Sequence, residues 1–235
     1  MKILKILKVL MICGIGCVSP LTFAKTTLNL SEYSVQYTLD LVLESCTDLK
    51  QDSDLCSSNG HITYQAKDKL APPKIIKLDN IDVNMESLVY NPLLNLKIRE
   101  ESAAGFTLVL DDFNFDGLED IAIRSGNMGG YGGASYTVYL FDPTTNDFLL
   151  NSSLSELTED SSGLFQVINK QLISYSKSGC CDHQTQKFNV INNQAVLVED
   201  IGEAVDENNI LTITTRKLIG TKWQETIQSK PYVEE

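Results

Sequence analysis

The stretch Phe106-Thr107-Leu108-Val109-Leu110-Asp111-Asp112-Phe113-Asn114-Phe115-Asp116-Gly117-Leu118-Glu119-Asp120-Ile121-Ala122-Ile123-Arg124 decides how the chain is read. Counted from Asp112, oxygen-bearing side chains stand at positions 1, 3, 5 and 9 (Asp112, Asn114, Asp116, Asp120). Gly117 stands at 6 and the Leu118 carbonyl at 7. In this ligand order a hard cation collects oxygens at every second residue while glycine supplies the sharp turn. A helix–loop–helix calcium site carries Glu at position 12; here Ile123 occupies it. The flanking runs are short, apolar and rich in β-branched residues, so the loop joins two strands rather than two helices. A solvated acidic turn that binds nothing is the simpler alternative. The spacing favours Ca2+ on Asp112, Asn114, Asp116, Leu118 and Asp120.

Outward from this loop, helical periodicity is scarce, and short alternating or apolar runs recur between turn formers. Tyr33 to Leu43 alternates (Val35, Tyr37, Leu39, Leu41, Leu43), and His61 to Gln65 answers it. Lys74 to Leu78 comes next, ahead of the two strands of the loop. Tyr136 to Phe141, Phe148 to Asn151, Leu164 to Ile168, Gln171 to Tyr175 and Thr185 to Ile191 follow it. Ala195 to Glu199, Ile210 to Arg216 and Trp223 to Gln228 complete the series. Asn169-Lys170 and Asn192-Asn193 carry hairpin-turn chemistry. The spacing predicts an all-β fold, an antiparallel meander in a closed or radial, propeller-like arrangement that protects its edges. Residues 81–100 are less patterned and read as a long loop or a short helix.

Residues 1–24 read as a secretory signal: Lys2, Lys5 and Lys8, an apolar stretch from Val9 to Val18, then Thr22-Phe23-Ala24 as the cleavage site. The apolar stretch is too short for a membrane span. Gly14-Ile15-Gly16-Cys17 weakly matches a lipoprotein processing site but lacks leucine three residues before the cysteine, so soluble export to the periplasm or medium is expected over a lipid anchor at Cys17. Residues 25–235 then form one β-rich domain, with a hairpin at 33–66 and the loop and meander at 105–235. The full chain has a net charge of −12, and loss of the three leader lysines makes it about −15. An acidic surface argues against nucleic acid, which needs a basic one.

Four cysteines remain after export: Cys46, Cys56, Cys180 and Cys181. In an oxidising compartment an even number reads as disulfides. Cys46–Cys56 would close the N-terminal hairpin and leave Cys180–Cys181 as a vicinal pair; a crossed pairing stays open. A zinc site with His61 or His183 is the rival, without the Cys-x-x-Cys spacing that zinc sites favour.

After the calcium loop and its strand comes Ser125-Gly126-Asn127-Met128-Gly129-Gly130-Tyr131-Gly132-Gly133-Ala134-Ser135-Tyr136. No Lys-Ser or Lys-Thr follows and the next element is a strand, so this is no phosphate loop. A flexible hairpin is the structural alternative. Tyrosine among small residues is also recognition chemistry, because its ring offers contact area at low entropy cost. Ser125, Gly126, Gly130, Tyr131, Gly132, Gly133 and Tyr136 are therefore the candidate partner-binding residues. A second loop, Ser176 to His183, sets Asp182 beside His183, but no nucleophile accompanies them. With no acid–base pair singled out, an enzyme is not expected.

The run LDDFNFDGLEDIAIRSGNMGGYGGASYTVYLFDPTTNDFLL (residues 110–150), followed by LISYSKSGCCDHQTQKFNV (residues 172–190), resembles a group of exported bacterial calcium-binding β-propeller-like proteins. That group is related to periplasmic lysozyme inhibitors, and one branch serves as immunity proteins against lysozyme-like effectors of type IV secretion systems. The calcium motif alone is also similar to FG-GAP repeats. In the inhibitors a Ser-Gly loop with a nearby tyrosine enters the hydrolase cleft. Ser125-Gly126 with Tyr131 or Tyr136 is the matching stretch, although Gly129 stands where the short Ser-Gly-x-x-Tyr spacing would place the tyrosine. The resemblance implies a calcium-binding inhibitor of a lysozyme-like peptidoglycan hydrolase. The alternative is a calcium-braced structural or adhesive module of the cell envelope.

Overall fold

A computed structural model describes residues 25–46, 55–68, 71–84, 87–94, 105–159 and 161–233. The proposed signal and Cys17 lie outside them. The fold is all-β, with three sheets, none closed on itself. The first contains β1 (Thr26–Asn29), β2 (Tyr37–Leu43), β3 (Leu55–Ala66) and β4 (Lys74–Asn84), paired in sequence order. The second contains β5 (Val89–Tyr90), β6 (Leu108–Asp111), β7 (Asp120–Gly129), β8 (Gly133–Asp142) and β9 (Asp147–Leu150); only its β5–β6 pair is parallel. The third is an antiparallel meander: β10 (Gln166–Ile168), β11 (Gln171–Ser178), β12 (Asp182–Ile191), β13 (Gln194–Val205), β14 (Ile210–Ile219) and β15 (Lys222–Pro231). A five-residue helix, α1 (Ser152–Glu156), follows β9 and is capped by the Asn151 side chain, which accepts from Leu154 N–H at 2.9 Å.

The middle sheet is buried on both faces, which explains why β6 and β7 read as continuous apolar runs rather than alternating ones. Ile121, Ile123, Phe141 and Phe148 face the first sheet and pack with Leu39, Leu41, Tyr37 and Tyr64. Ala122, Tyr136, Val138 and Leu140 turn the other way and meet Leu164, Phe165, Leu172 and Phe188. Tyr37, Tyr64, Phe141 and Phe148 form a cluster with ring centroids 4.8 to 6.4 Å apart, in the edge-to-face and tilted arrangements that aromatic quadrupoles favour.

Asn169–Lys170 and Asn192–Asn193 adopt positive φ at both central positions, the two-residue turn whose twist matches paired strands. Several strands outrun the sequence expectation. β3 begins at Leu55, β4 continues to Asn84 and β7 to Gly129, because cross-strand pairing carries polar residues that have no strand pattern of their own. Cys46–Cys56 and Cys180–Cys181 are the disulfides, so these sulfurs are not available as the thiolate ligands a zinc site would need. Among the described residues no helix is long and apolar enough to cross a membrane.

Candidate functional site

Residues 112–119 connect β6 to β7 at one end of the middle sheet. Phe115 and Gly117 have φ of 67° and 88°, so the chain reverses through left-handed positions, one of them supplied by glycine. The loop then folds onto its own amides. Asp112 Oδ1 and Asn114 Oδ1 both accept from Asp116 N–H, at 3.0 and 3.2 Å, which turns the two side chains toward one point. Asp112 Oδ2 accepts from Gly117 N–H at 2.9 Å, and Asp116 Oδ1 from Leu118 N–H at 2.8 Å. Asp120 is fully buried and accepts Phe113 N–H and Phe141 N–H, each at 2.9 Å.

Burial pushes the Asp120 carboxyl up to about 8; the two N–H bonds oppose that rise, and the charges of Asp116 and Asp112 add to it. No Lys, Arg or His pairs with these three acids among the described residues. This is an all-oxygen donor set with uncompensated negative charge, and that chemistry fits a hard cation. Among the described residues, however, no three His, Cys, Asp or Glu side chains converge into a preformed metal cage.

The residue between these ligand positions has a role that the sequence does not reveal. Glu119, at position 8, is 2% exposed. Its carboxylate accepts four bonds: Ser34 Oγ–H at 2.6 Å, Val35 N–H at 3.0 Å, Gln36 N–H at 2.8 Å and the Asn91 amide at 2.7 Å. Gln36 returns the contact, accepting Glu119 N–H at 3.0 Å and donating to the Gly117 carbonyl at 3.3 Å. On the other side, Asn114 donates to Asn193 Oδ1 at 3.1 Å, in the β12–β13 turn, and Phe113 meets Phe165 edge-on at 5.5 Å. One short loop thus touches all three sheets.

The glycine stretch is not a free hairpin. β7 and β8 continue into it, and Gly130–Gly132 close it as a single 3-10 turn with Tyr131 at its centre. The turn is pressed onto the segment after α1: Gly130 N–H donates to Ser161 O at 2.8 Å. A Cβ on Gly129 would lie 2.5 Å from Ser161 O and 2.8 Å from Gly133 O, and one on Gly133 would lie 3.1 Å from Gly130 O and from the Ser162 carbonyl carbon. At Gly129 glycine is required by close backbone approach. Ser125 and Gly126 lie at its base, where the Ser125 carbonyl accepts the Asn80 amide at 2.6 Å.

The two candidate tyrosines of this stretch fare differently. Tyr136 is 2% exposed; its hydroxyl donates to Phe106 O at 2.8 Å and accepts Gly105 N–H at 3.0 Å. Burial pushes that phenol up to about 12. Tyr136 is therefore a core side chain and does not reach a partner, contrary to the sequence expectation, because its place in β8 points it between the second and third sheets. The side chain of Tyr131 lies outside what the structure describes. Met128, at the rim, is 77% exposed.

Beneath the stretch, Arg124 is 8% exposed; its guanidinium donates to Asn127 Oδ1 at 2.6 Å, and its Nε has no hydrogen-bond partner. In the other loop, His183 Nδ1 lies 4.0 Å from Glu203, and its ring stands tilted over Tyr175 at 5.9 Å. It is thus a strand-face histidine with neighbours of its own.

No protein-family model and no curated protein matches the chain. Among solved structures, the chain is similar to one described as a Xanthomonas type IV secretion system related protein. The two are 26% identical with a TM-score of 0.72, over 89% of this chain and 96% of that one. The similarity spans all three sheets rather than the loop motif alone.

Proposed function

We propose that this chain is an exported, calcium-binding inhibitor of a lysozyme-like peptidoglycan hydrolase, an immunity protein rather than an enzyme. The observation that carries the reading is the structural similarity, over 89% of this chain, to a type IV secretion system related protein, in a chain whose glycine turn is hydrogen-bonded to the neighbouring Ser161. The residues that would hold the cation are Asp112, Asn114, Asp116, the Leu118 carbonyl and Asp120. Calcium there supplies positive charge to a loop that otherwise gathers only negative charge. The chain's own contribution is mechanical. Glu119 fastens the loop to the first sheet and Asn114 fastens it to the third, so the three sheets, read as propeller-like blades, keep one relative placement.

On that body the Gly130–Gly132 stretch is folded as a 3-10 turn, and a turn formed in the free chain spares the entropy that a floppy glycine loop would lose on binding. The net charge of −12, about −15 once the three leader lysines are lost, steers encounter toward a cationic partner in the envelope, where an exported chain would meet it. The contact of one loop with all three sheets equally favours a second reading, a calcium-braced adhesive or structural module. Titration of the purified chain into peptidoglycan-clearing assays separates the two. Stoichiometric loss of clearing supports the inhibitor, and retained clearing with every hydrolase supports the module.

A further inference from the structure

The sequence directs attention to Tyr131 and Tyr136, yet Tyr136 is buried, and among the described side chains an exposed tyrosine beside the glycine turn lies on a different strand. Tyr175, in β11, is 45% exposed. Its carbonyl accepts Ser162 N–H at 2.7 Å, and Ser161 O accepts Gly130 N–H at 2.8 Å, so Tyr175, the 161–162 segment and the glycine turn form one continuous hydrogen-bonded surface. A cavity of about 310 Å³ opens at this seam, lined by Ser162, Leu164, Gln166, Ile173, Tyr175 and Thr185. None of these six side chains is charged.

We propose that Tyr175 is the aromatic anchor of the contact with the hydrolase, and that the cavity beside it receives an uncharged, partly apolar projection from the rim of that enzyme's cleft. The inference rests on the inhibitor reading above and specifies which part of this face binds. Tyr175 has the properties of a binding hot spot. It is mid-strand, paired with Thr185 on β12, so its backbone is held in the sheet, and its ring has His183 as a neighbour before binding. The uncharged lining favours an uncharged occupant, because a charged group entering it would lose water without gaining a counter-charge. The glycine turn beside it lets the partner's backbone come close, while Tyr175 supplies the area that glycines lack.

The test compares the mature wild-type chain with Tyr175→Ala, Tyr175→Phe and Tyr232→Ala in clearing assays with lysozyme-like hydrolases, after melting curves show each variant folded. Tyr232 is a comparably exposed tyrosine just beyond β15, four strands away across the same sheet, and serves as the control. The expected result is that Tyr175→Ala raises the concentration for half inhibition at least about tenfold while Tyr232→Ala leaves it unchanged. Tyr175→Phe separates the ring from the hydroxyl. Wild-type inhibition with an equally potent Tyr175→Ala overturns this inference and leaves the inhibitor reading standing. Failure of the wild-type chain to inhibit any hydrolase overturns that reading, and this inference with it.

Discussion

Replacing Glu119 by Gln tests whether the loop between β6 and β7 clamps the sheets together. Each carboxylate oxygen of Glu119 accepts two donors: Oε1 takes Val35 N–H and the Asn91 amide, and Oε2 takes Ser34 Oγ–H and Gln36 N–H. Glutamine keeps the shape but turns one oxygen into an NH2, which then faces two donors. At least two charge-assisted bonds are lost, each about 1.5–3 kcal/mol, so the expected cost is about 3–6 kcal/mol before relaxation. That is a large share of the roughly 5–15 kcal/mol that holds a typical domain. Urea unfolding at neutral pH reads the total. Native-state hydrogen exchange locates it, with β2 (Tyr37–Leu43) expected to lose protection ahead of the third sheet. A cost below about 1 kcal/mol, with unchanged exchange in β2, would refute the clamp.

Four further outcomes are expected. Calcium at 100 times its dissociation constant adds about 2.7 kcal/mol to the wild-type chain; the gain should vanish in Asp116→Ala, and equal melting with calcium and with chelator would show the loop empty. Gly129→Ala forces a Cβ to within 2.5 Å of Ser161 O and should cost about 1–3 kcal/mol in denaturant unfolding together with inhibition. Tyr136→Ala should act through stability, at about 3–5 kcal/mol, so any loss of inhibition should follow its loss of fold in parallel melting and clearing assays. Glu199 is penalised by burial, but Lys187 at 2.8 Å and Lys217 at 2.9 Å more than offset this, so its carboxyl titrates below the usual range. A depressed pKa stabilises above the unfolded-state value near 4.3, and that stability is lost as pH falls through the folded one. Glu199→Gln should therefore flatten the acid limb of a stability–pH profile.

The sequence made the local features legible. The Asn-Asn and Asn-Lys turns, the strand alternation and the Cys46–Cys56 and Cys180–Cys181 pairings all depend on neighbours within about a dozen residues. What lay beyond it depends on partners far along the chain. Glu119 meets residues 83 to 85 positions before it, and no spacing rule connects them. A tyrosine among small residues looks exposed, but the parity of β8, with Val138 and Leu140 on the same face, points Tyr136 inward. In β11 the structure buries Leu172 and Ser174 and turns Tyr175 outward, although Ile173 and Tyr175 make the more apolar face in the sequence, so alternation alone does not reveal it. The glycines suggested mobility, yet Gly129 is there because Ser161 lies against it.

The central claim is inhibition, and the most direct measurement is titration of the mature, calcium-loaded chain against lysozyme-like hydrolases of several families while peptidoglycan clearing is followed. The account predicts that clearing by at least one of them falls linearly to zero at one equivalent, and that Tyr175→Ala blunts the fall. Undiminished clearing by every hydrolase at saturating concentrations of the chain would contradict it.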